Sequence, residues 1–241
     1  MSYLIIIPAR MESTRLPNKP LIDILGKTLI QRTYEQVLKV VPNNKILVAT
    51  DSLEIKNHLE GLGYNAELTS TDCLTGTDRV AEIANRYDHD YYINVQGDEP
   101  LINPQDIKVL LDRLDTAEGK ILNGYTSIVD EADFRSISIP KVVFRPDGRL
   151  LFMSRSAIPG NKKNILIKSW RQVCIYAFPK KALFEFQNQK EKTCLEEMED
   201  IEILRFLEMG YDVQMIEMSD ESIAVDNPED VQKVIDRING N

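Results

Sequence analysis

The 241-residue sequence predicts a single α/β domain built on a doubly wound, mostly parallel sheet. Three observations carry that expectation. Short β-branched runs alternate with segments of helical period. The first run, Leu4 to Ile7, is continuously apolar, as a strand covered on both faces must be. The hydrophobic fraction of 43% and charged fraction of 28% belong to a globular chain, neither disordered nor embedded in a membrane.

After Leu4 to Ile7 a polar loop runs through Pro20. Leu29, Ile30, Tyr34, Val37 and Leu38 recur at helical spacing, which predicts a helix from about Thr28 to Val40. Lys45 to Thr50 reads as the second strand. Ser52 to Glu60 reads as a helix capped by Asp51 and ended by Gly61 and Gly63. A short strand at Asn65 to Thr69, a helix from Thr77 to Arg86 and a strand at Tyr91 to Val95 follow. Pro104 to Leu114 is a helix with proline in its first turn. Right-handed crossovers in this order place helices on both faces of the sheet.

From about Gly124 the pattern changes. Val142 to Phe144, Leu150 to Met153 and Val173 to Phe178 read as strands separated by turns, a mixed and partly antiparallel extension. Leu195 to Glu208 reads as one acidic helix. Val213 to Ile216 and Ile223 to Val225 read as strands, and Pro228 to Ile238 as the closing helix, with Asp226 just before it. No repeat, low-complexity segment or linker divides the chain. It is treated as one domain, residues 1–241, with an inserted mixed β lobe over about 125–180.

The net charge of −9, with cations scattered, disfavours a nucleic-acid partner. No apolar run approaches the ~20 residues of a spanning helix, and the N-terminus lacks the cationic region of a signal peptide. Three widely spaced cysteines, Cys73, Cys174 and Cys194, suggest a reducing compartment without a zinc site; the cytoplasm is expected.

Sheets of this kind bind ligands at the carboxyl ends of their strands. The loop after the first strand has neither a Gly-x-Gly-x-x-Gly nor a Walker A run, so the dinucleotide and P-loop readings both fail. Instead Arg10, Arg15 and Lys19 lie within ten residues together with the hydroxyls of Ser13 and Thr14. Such a cationic cluster in an acidic protein suits phosphate oxygens, with a solvated loop as the bland alternative. Asp98, in Asn94-Val95-Gln96-Gly97-Asp98-Glu99-Pro100, can reach the same crevice and hold Mg²⁺ against a triphosphate; the alternative is a capping turn residue. Glu99 beside it is the weaker candidate, and either carboxylate could simply be solvated. Asp226 is a second carboxylate for the same metal, or a routine N-cap of the last helix. Gly76 and Thr77 open a helix whose free N–H groups favour an anion or a polar base edge, unless the helix start is merely capped.

These blocks together resemble the sugar-activating cytidylyltransferases, in particular the 3-deoxy-manno-octulosonate (Kdo) cytidylyltransferase family. The resemblance rests on Pro8 to Leu21, Gly76-Thr77-Asp78-Arg79, Asn94 to Pro100 and Val225-Asp226-Asn227-Pro228-Glu229-Asp230, in the family's order. It implies a nucleotide-diphospho-sugar transferase-like, Rossmann-like fold with a dimerisation lobe, and a homodimer. It also implies transfer of CMP from CTP to an eight-carbon sugar acid with release of pyrophosphate, for lipopolysaccharide or capsule synthesis. By resemblance Pro8, Ala9, Arg10, Ser13, Arg15 and Lys19 handle the triphosphate, Arg10, Lys19 and Asp98 being catalytic. Gly76, Thr77 and Arg79 lie near cytosine and ribose, and Gln96 near nucleotide or sugar. Asp98 and Asp226 hold Mg²⁺. Arg155 suits the sugar carboxylate, and Glu202 falls in the block that closes the sugar side. Two positions depart from the family pattern: Gln172 stands where histidine is usual, and Ile203 where glutamine is usual. They point to a modified Kdo or a related ulosonic acid as acceptor. The alternatives are a sialic-type acid and, from another class, a nucleotide-binding regulator without turnover.

Overall fold

The computed structural model describes residues 1–13 and 15–240; Thr14, one of the two loop hydroxyls, lies outside them. β1 (Tyr3–Ala9) runs through the middle of the sheet, parallel to β4 (Ile46–Thr50) on one side and β6 (Tyr91–Val95) on the other. β5 (Ala66–Leu68) continues beyond β4. Past β6 the order is β10 (Ser169–Pro179), β7 (Ile121–Ile128) and β11 (Val213–Glu217). β10 is antiparallel to both its neighbours, while β11 is parallel to β7. Along this seven-strand path β10 alone runs against the rest.

Alternation along β1 shows why the strand is apolar throughout. Ile5 and Ile7 join one core with α1 (Leu29–Leu38), α2 (Leu53–Gly61) and α4 (Pro104–Asp112). Leu4 and Ile6 join the other, with α3 (Gly76–Ala84), α6 (Lys180–Asn188) and α8 (Ile203–Glu208). With both faces covered, no polar side chain is tolerated at either parity.

A third, smaller cluster positions the site. Leu16 from the loop after β1, Leu29 from α1, and Val225 and Val234 at the C-terminus pack together, Val234 lying on α9 (Pro228–Ile238). Each buried side chain contributes about 1.5–3 kcal/mol. The cluster holds the cationic loop against the last twenty residues, and the Val225 N–H donates to the Asp98 carbonyl at 2.9 Å.

Several expectations are corrected. Asp51 does not cap α2; Ser52 does, accepting from the Ile55 N–H. The acidic helix is two short ones, α7 (Cys194–Glu199) and α8, broken at Asp200, whose φ of 51° is left-handed. Residues 223–225 form no strand. β7 was hidden by its polar residues Asn123, Tyr125, Thr126 and Ser127, and α6 lies just after β10. Both β7 and β10 belong to the main sheet. Between them, residues 131–168 carry α5 (Glu131–Arg135) and the hairpin of β8 (Lys141–Phe144) and β9 (Leu150–Ser154). This excursion is narrower than the lobe expected over 125–180. No helix among the described residues is long and apolar enough to cross a membrane.

Candidate functional site

β1, β4 and β6 end together at one edge of the sheet. There a Cβ on Gly97 would lie 2.6 Å from the Pro8 carbonyl oxygen, so only glycine lets the loop after β6 press onto the end of β1. A Cβ on Gly76 would lie 3.4 Å from Pro8 and 3.5 Å from the Gln96 amide oxygen. Pro8, Gly76 and Gln96 therefore form one wall.

Against this edge, cations and carboxylates converge. Lys19 Nζ lies 2.7 Å from Asp98 Oδ2 and 3.3 Å from Asp226 Oδ1. Arg15 Nη2 lies 2.9 Å from the same Asp226 oxygen. Burial works against the Lys19 charge, but Asp98 and Asp226 outweigh it and raise its pKa. Asp226 is free for this because the expected cap is provided by Asn227, in a capping box with Asp230. Ser13 Oγ accepts from the Leu16 N–H at 3.4 Å, which folds the loop on itself. Arg10 stands exposed at the mouth. Asp200 is held below the usual carboxylate range chiefly by Lys192, with Arg155 and Arg10 adding to the effect.

Two carboxylates far apart in the chain thus meet on a single cation. Among the described residues no cluster of three or more acidic, His or Cys side chains offers a closed metal site; the two carboxylates are oxygen donors of the kind a divalent cation takes. An ion held by Asp98 and Asp226 would complete its shell with phosphate oxygens and water. Glu99, the weaker candidate beside Asp98, is buried rather than solvated; burial first, and then the Asp98 charge, push its carboxyl up to about 8, and its Oε2 has no hydrogen-bond partner.

The residues expected on the base and sugar side are engaged internally. Arg79 is buried and donates to Asp51, to Thr69 Oγ1 at 2.8 Å and to the Ser70 carbonyl at 3.0 Å. The N–H groups of Gly76 and Thr77 are not free: Glu202 accepts from them at 3.3 and 3.0 Å. Burial raises the Glu202 pKa, although these two N–H groups favour the carboxylate. Arg155 donates to the carbonyls of Glu199 (2.6 Å), Ile137 (3.1 Å) and Asp200 (2.9 Å). Ile203 is 1% exposed within the apolar cluster and offers no face to a sugar hydroxyl. Gln172 donates to Asn123 Oδ1 and to the Tyr176 hydroxyl, both at 3.0 Å. Asn123 in turn donates to the Val173 and Ile175 carbonyls, across the irregularity in β10.

Sequence reasoning missed Asp51, which accepts from the Met11 N–H at 3.3 Å and from Arg79, so it anchors the start of the cationic loop. The signal was present: Asp51 directly follows a buried strand, as Asp98 follows another. The pair Arg205–Glu196, both fully buried and bonded at 2.5 and 2.6 Å, was missed as well. A separate surface cleft of about 440 Å³ between α4, β7 and β11 contains none of these residues.

Loop cations and paired carboxylates at the carboxyl edge of such a sheet suit a phosphate-bearing ligand. The sequence profile described as "Cytidylyltransferase" matches residues 4–220. A 3-deoxy-manno-octulosonate cytidylyltransferase of Protochlamydia amoebophila is 38% identical over 237 residues, 95% of this chain and 91% of that protein. One from Geotalea uraniireducens is 39% identical, covering 99% of each. Among solved structures, CMP:2-keto-3-deoxy-manno-octonic acid synthetase complexed with CTP superposes with a TM-score of 0.92 at 32% identity, covering 100% of this chain and 99% of that one. A glucose-1-phosphate thymidylyltransferase from Bacillus anthracis shares the fold at a TM-score of 0.71 and 15% identity. The chain belongs to the 3-deoxy-manno-octulosonate cytidylyltransferase family.

Proposed function

We propose that the protein transfers the cytidylyl group of CTP to the anomeric hydroxyl of Kdo or a close Kdo-like sugar acid, releasing pyrophosphate. The observation that carries the site assignment is the meeting of Lys19 with both Asp98 and Asp226 at the carboxyl edge of the sheet. Arg10, Arg15 and Lys19 bind the triphosphate oxygens, the guanidinium forks with two donors each and the ammonium as a compact charge. Pro8, Ala9 and Ser13 shape the loop that carries them, and Gln96 lines the wall between nucleotide and sugar. Mg²⁺ held by Asp98 and Asp226 would neutralise charge on the phosphates and acidify the attacking hydroxyl. The hydroxyl attacks the α-phosphorus in line with the departing pyrophosphate. Catalysis is then mostly positioning and charge stabilisation, because little covalent chemistry is left to side chains. In the absence of nucleotide, Lys19 neutralises the two carboxylates that would otherwise repel each other.

Arg155 and Glu202 act on the sugar side by fixing its walls, and Arg79 fixes the base of the nucleotide wall through Asp51. The exposed Val129, Ile137, Ile165 and Ile167 on and beside the 131–168 excursion support a homodimer contact there. The cytoplasm, where CTP is available, is the proposed location.

Pyrophosphate release with CTP and Mg²⁺ tests this reading. Kdo is expected to support turnover, UTP in place of CTP to fail, and chelation to abolish it. Release with a sialic-type acid but not with Kdo would reassign the acceptor. CTP binding without release from any sugar acid would make the protein a regulator.

A further inference from the structure

Lys141 opens β8 and is fully buried, opposite Ser154 in the hairpin register. A lysine is rarely buried without a carboxylate partner, because desolvating an ammonium is costly. Here Nζ donates to three backbone carbonyls: Ser136 at 2.7 Å, Ile139 at 2.6 Å and Arg155 at 2.5 Å. It forms no ion pair among the described residues. All three donors of the ammonium are used, so no other side chain of its length could reproduce the arrangement.

What these bonds hold is a clasp. The segment from Ser136 to Ile139 and the Arg155 carbonyl are drawn onto one point. From there the Arg155 guanidinium reaches the carbonyls of Ile137, Glu199 and Asp200. The Glu199 carboxylate answers by accepting from Ser154 Oγ at 2.6 Å and the Arg155 N–H at 2.8 Å. The clasp therefore fixes the break between α7 and α8, two residues before Glu202. Glu202 in turn accepts from Gly76 and Thr77, whose helix start abuts Pro8 and Gln96. Hydrogen bonds, the short backbone step from Asp200 to Glu202 and the close packing of Gly76 beside Pro8 and Gln96 link the hairpin to the wall between nucleotide and sugar. Burial, with Arg155 adding, lowers the Lys141 pKa, while Glu199 favours its charge.

We propose that Lys141 is a positioning residue for the acceptor: its buried ammonium sets the Arg155–Glu199 clasp and thereby the sugar-side wall, without touching either substrate. This rests on the reading of that wall as the acceptor side. Lys141→Met, which keeps length and loses the three donors, tests it by steady-state kinetics. A displaced wall loses binding that the acceptor and its transition state share, so the sugar KM is expected to rise by about 10- to 100-fold. The KM for CTP is expected to stay within about twofold and kcat within about threefold, since the Lys19–Asp98–Asp226 centre is untouched. Lys141→Arg, which keeps a cation able to donate to several carbonyls, is expected to recover part of the loss. A folded Lys141→Met with an unchanged sugar KM, or with both KM values raised alike, would overturn the proposal.

If Lys141→Met does not fold, Glu199→Gln opens the same clasp from its other side and must give the same sugar-specific rise. Hydrogen exchange decides independently of turnover. Opening the clasp must deprotect the amides of residues 199–202 and leave those of β6 protected. Equal protection in both variants and wild type would overturn the proposal even if the wild type turned over no sugar acid and the acceptor reading itself failed.

Discussion

The two halves of the site use charge differently. On the phosphate side, Arg15 and Lys19 meet Asp98 and Asp226 through side chains alone, and their partners are half-exposed. A ligand can exchange these contacts for its own. On the base and sugar side, Arg79, Arg155 and Glu202 bond mainly to backbone atoms and buried partners, so they hold walls in place. A charged residue in a family motif thus keeps exchangeable side-chain contacts in one half and supports the fold in the other, and burial with bond count tells the two apart.

Variants can break that contrast. Arg79→Met removes one partner of a nearly buried pair and leaves Asp51 uncompensated; the expected loss is about 3–5 kcal/mol of stability, read by urea unfolding. An unchanged unfolding midpoint would move Arg79 to the substrate-binding group. Asp98→Asn is expected to do the reverse. Turnover falls about 100- to 1,000-fold, as when one stabiliser of transition-state charge is lost, while CTP affinity and thermal stability change little. Near-normal turnover at saturating Mg²⁺ would remove Asp98 from the metal site.

Ile203→Gln restores the residue usual in the family, but at a 1% exposed position. A buried amide lacking partners costs about 1–3 kcal/mol, so reduced stability with unchanged sugar preference is expected. A shift in preference among sugar acids would show that the wall opens toward position 203 in the working enzyme.

The smallest effect concerns pH. Burial raises the Glu202 pKa above its ordinary 4.5, so the folded state binds this proton more tightly than the unfolded state. The associated stabilisation is present below 4.5 and is lost as pH rises through the folded value. Glu202→Gln cannot titrate. Its thermal stability relative to wild type is expected to improve between pH 4.5 and neutrality, and a constant difference would contradict the raised pKa.

The alternation of apolar runs and helical segments made the parallel half of the sheet legible, because a strand covered on both faces must be apolar at every position. β7 escaped because Asn123, Tyr125, Thr126 and Ser127 interrupt its apolar pattern. The role of Asn123 lies in bridging two carbonyls of β10, fifty residues away. The break escaped because apolar residues recur across it; the left-handed backbone at Asp200 opens a three-residue step, 200–202, between the two helices.

For the site, local composition singled out Arg10, Arg15 and Lys19 as cations suited to phosphate oxygens and Asp98 as a carboxylate suited to a metal, each in a loop at the end of a strand or just beyond. Local pattern left Asp226 undecided between cap and ligand; tertiary packing gives the cap to Asn227 and sets Asp226 against Lys19 and Arg15. The apolar contact of Leu16 with Val225 and Val234, and the Val225–Asp98 backbone bond, bring position 226 across some 200 residues of chain to Lys19. Sequence fixes the chemistry of each side chain because that chemistry is local. Which charge faces solvent and which is buried against a carbonyl depends on long-range packing, and only the folded chain assigns it.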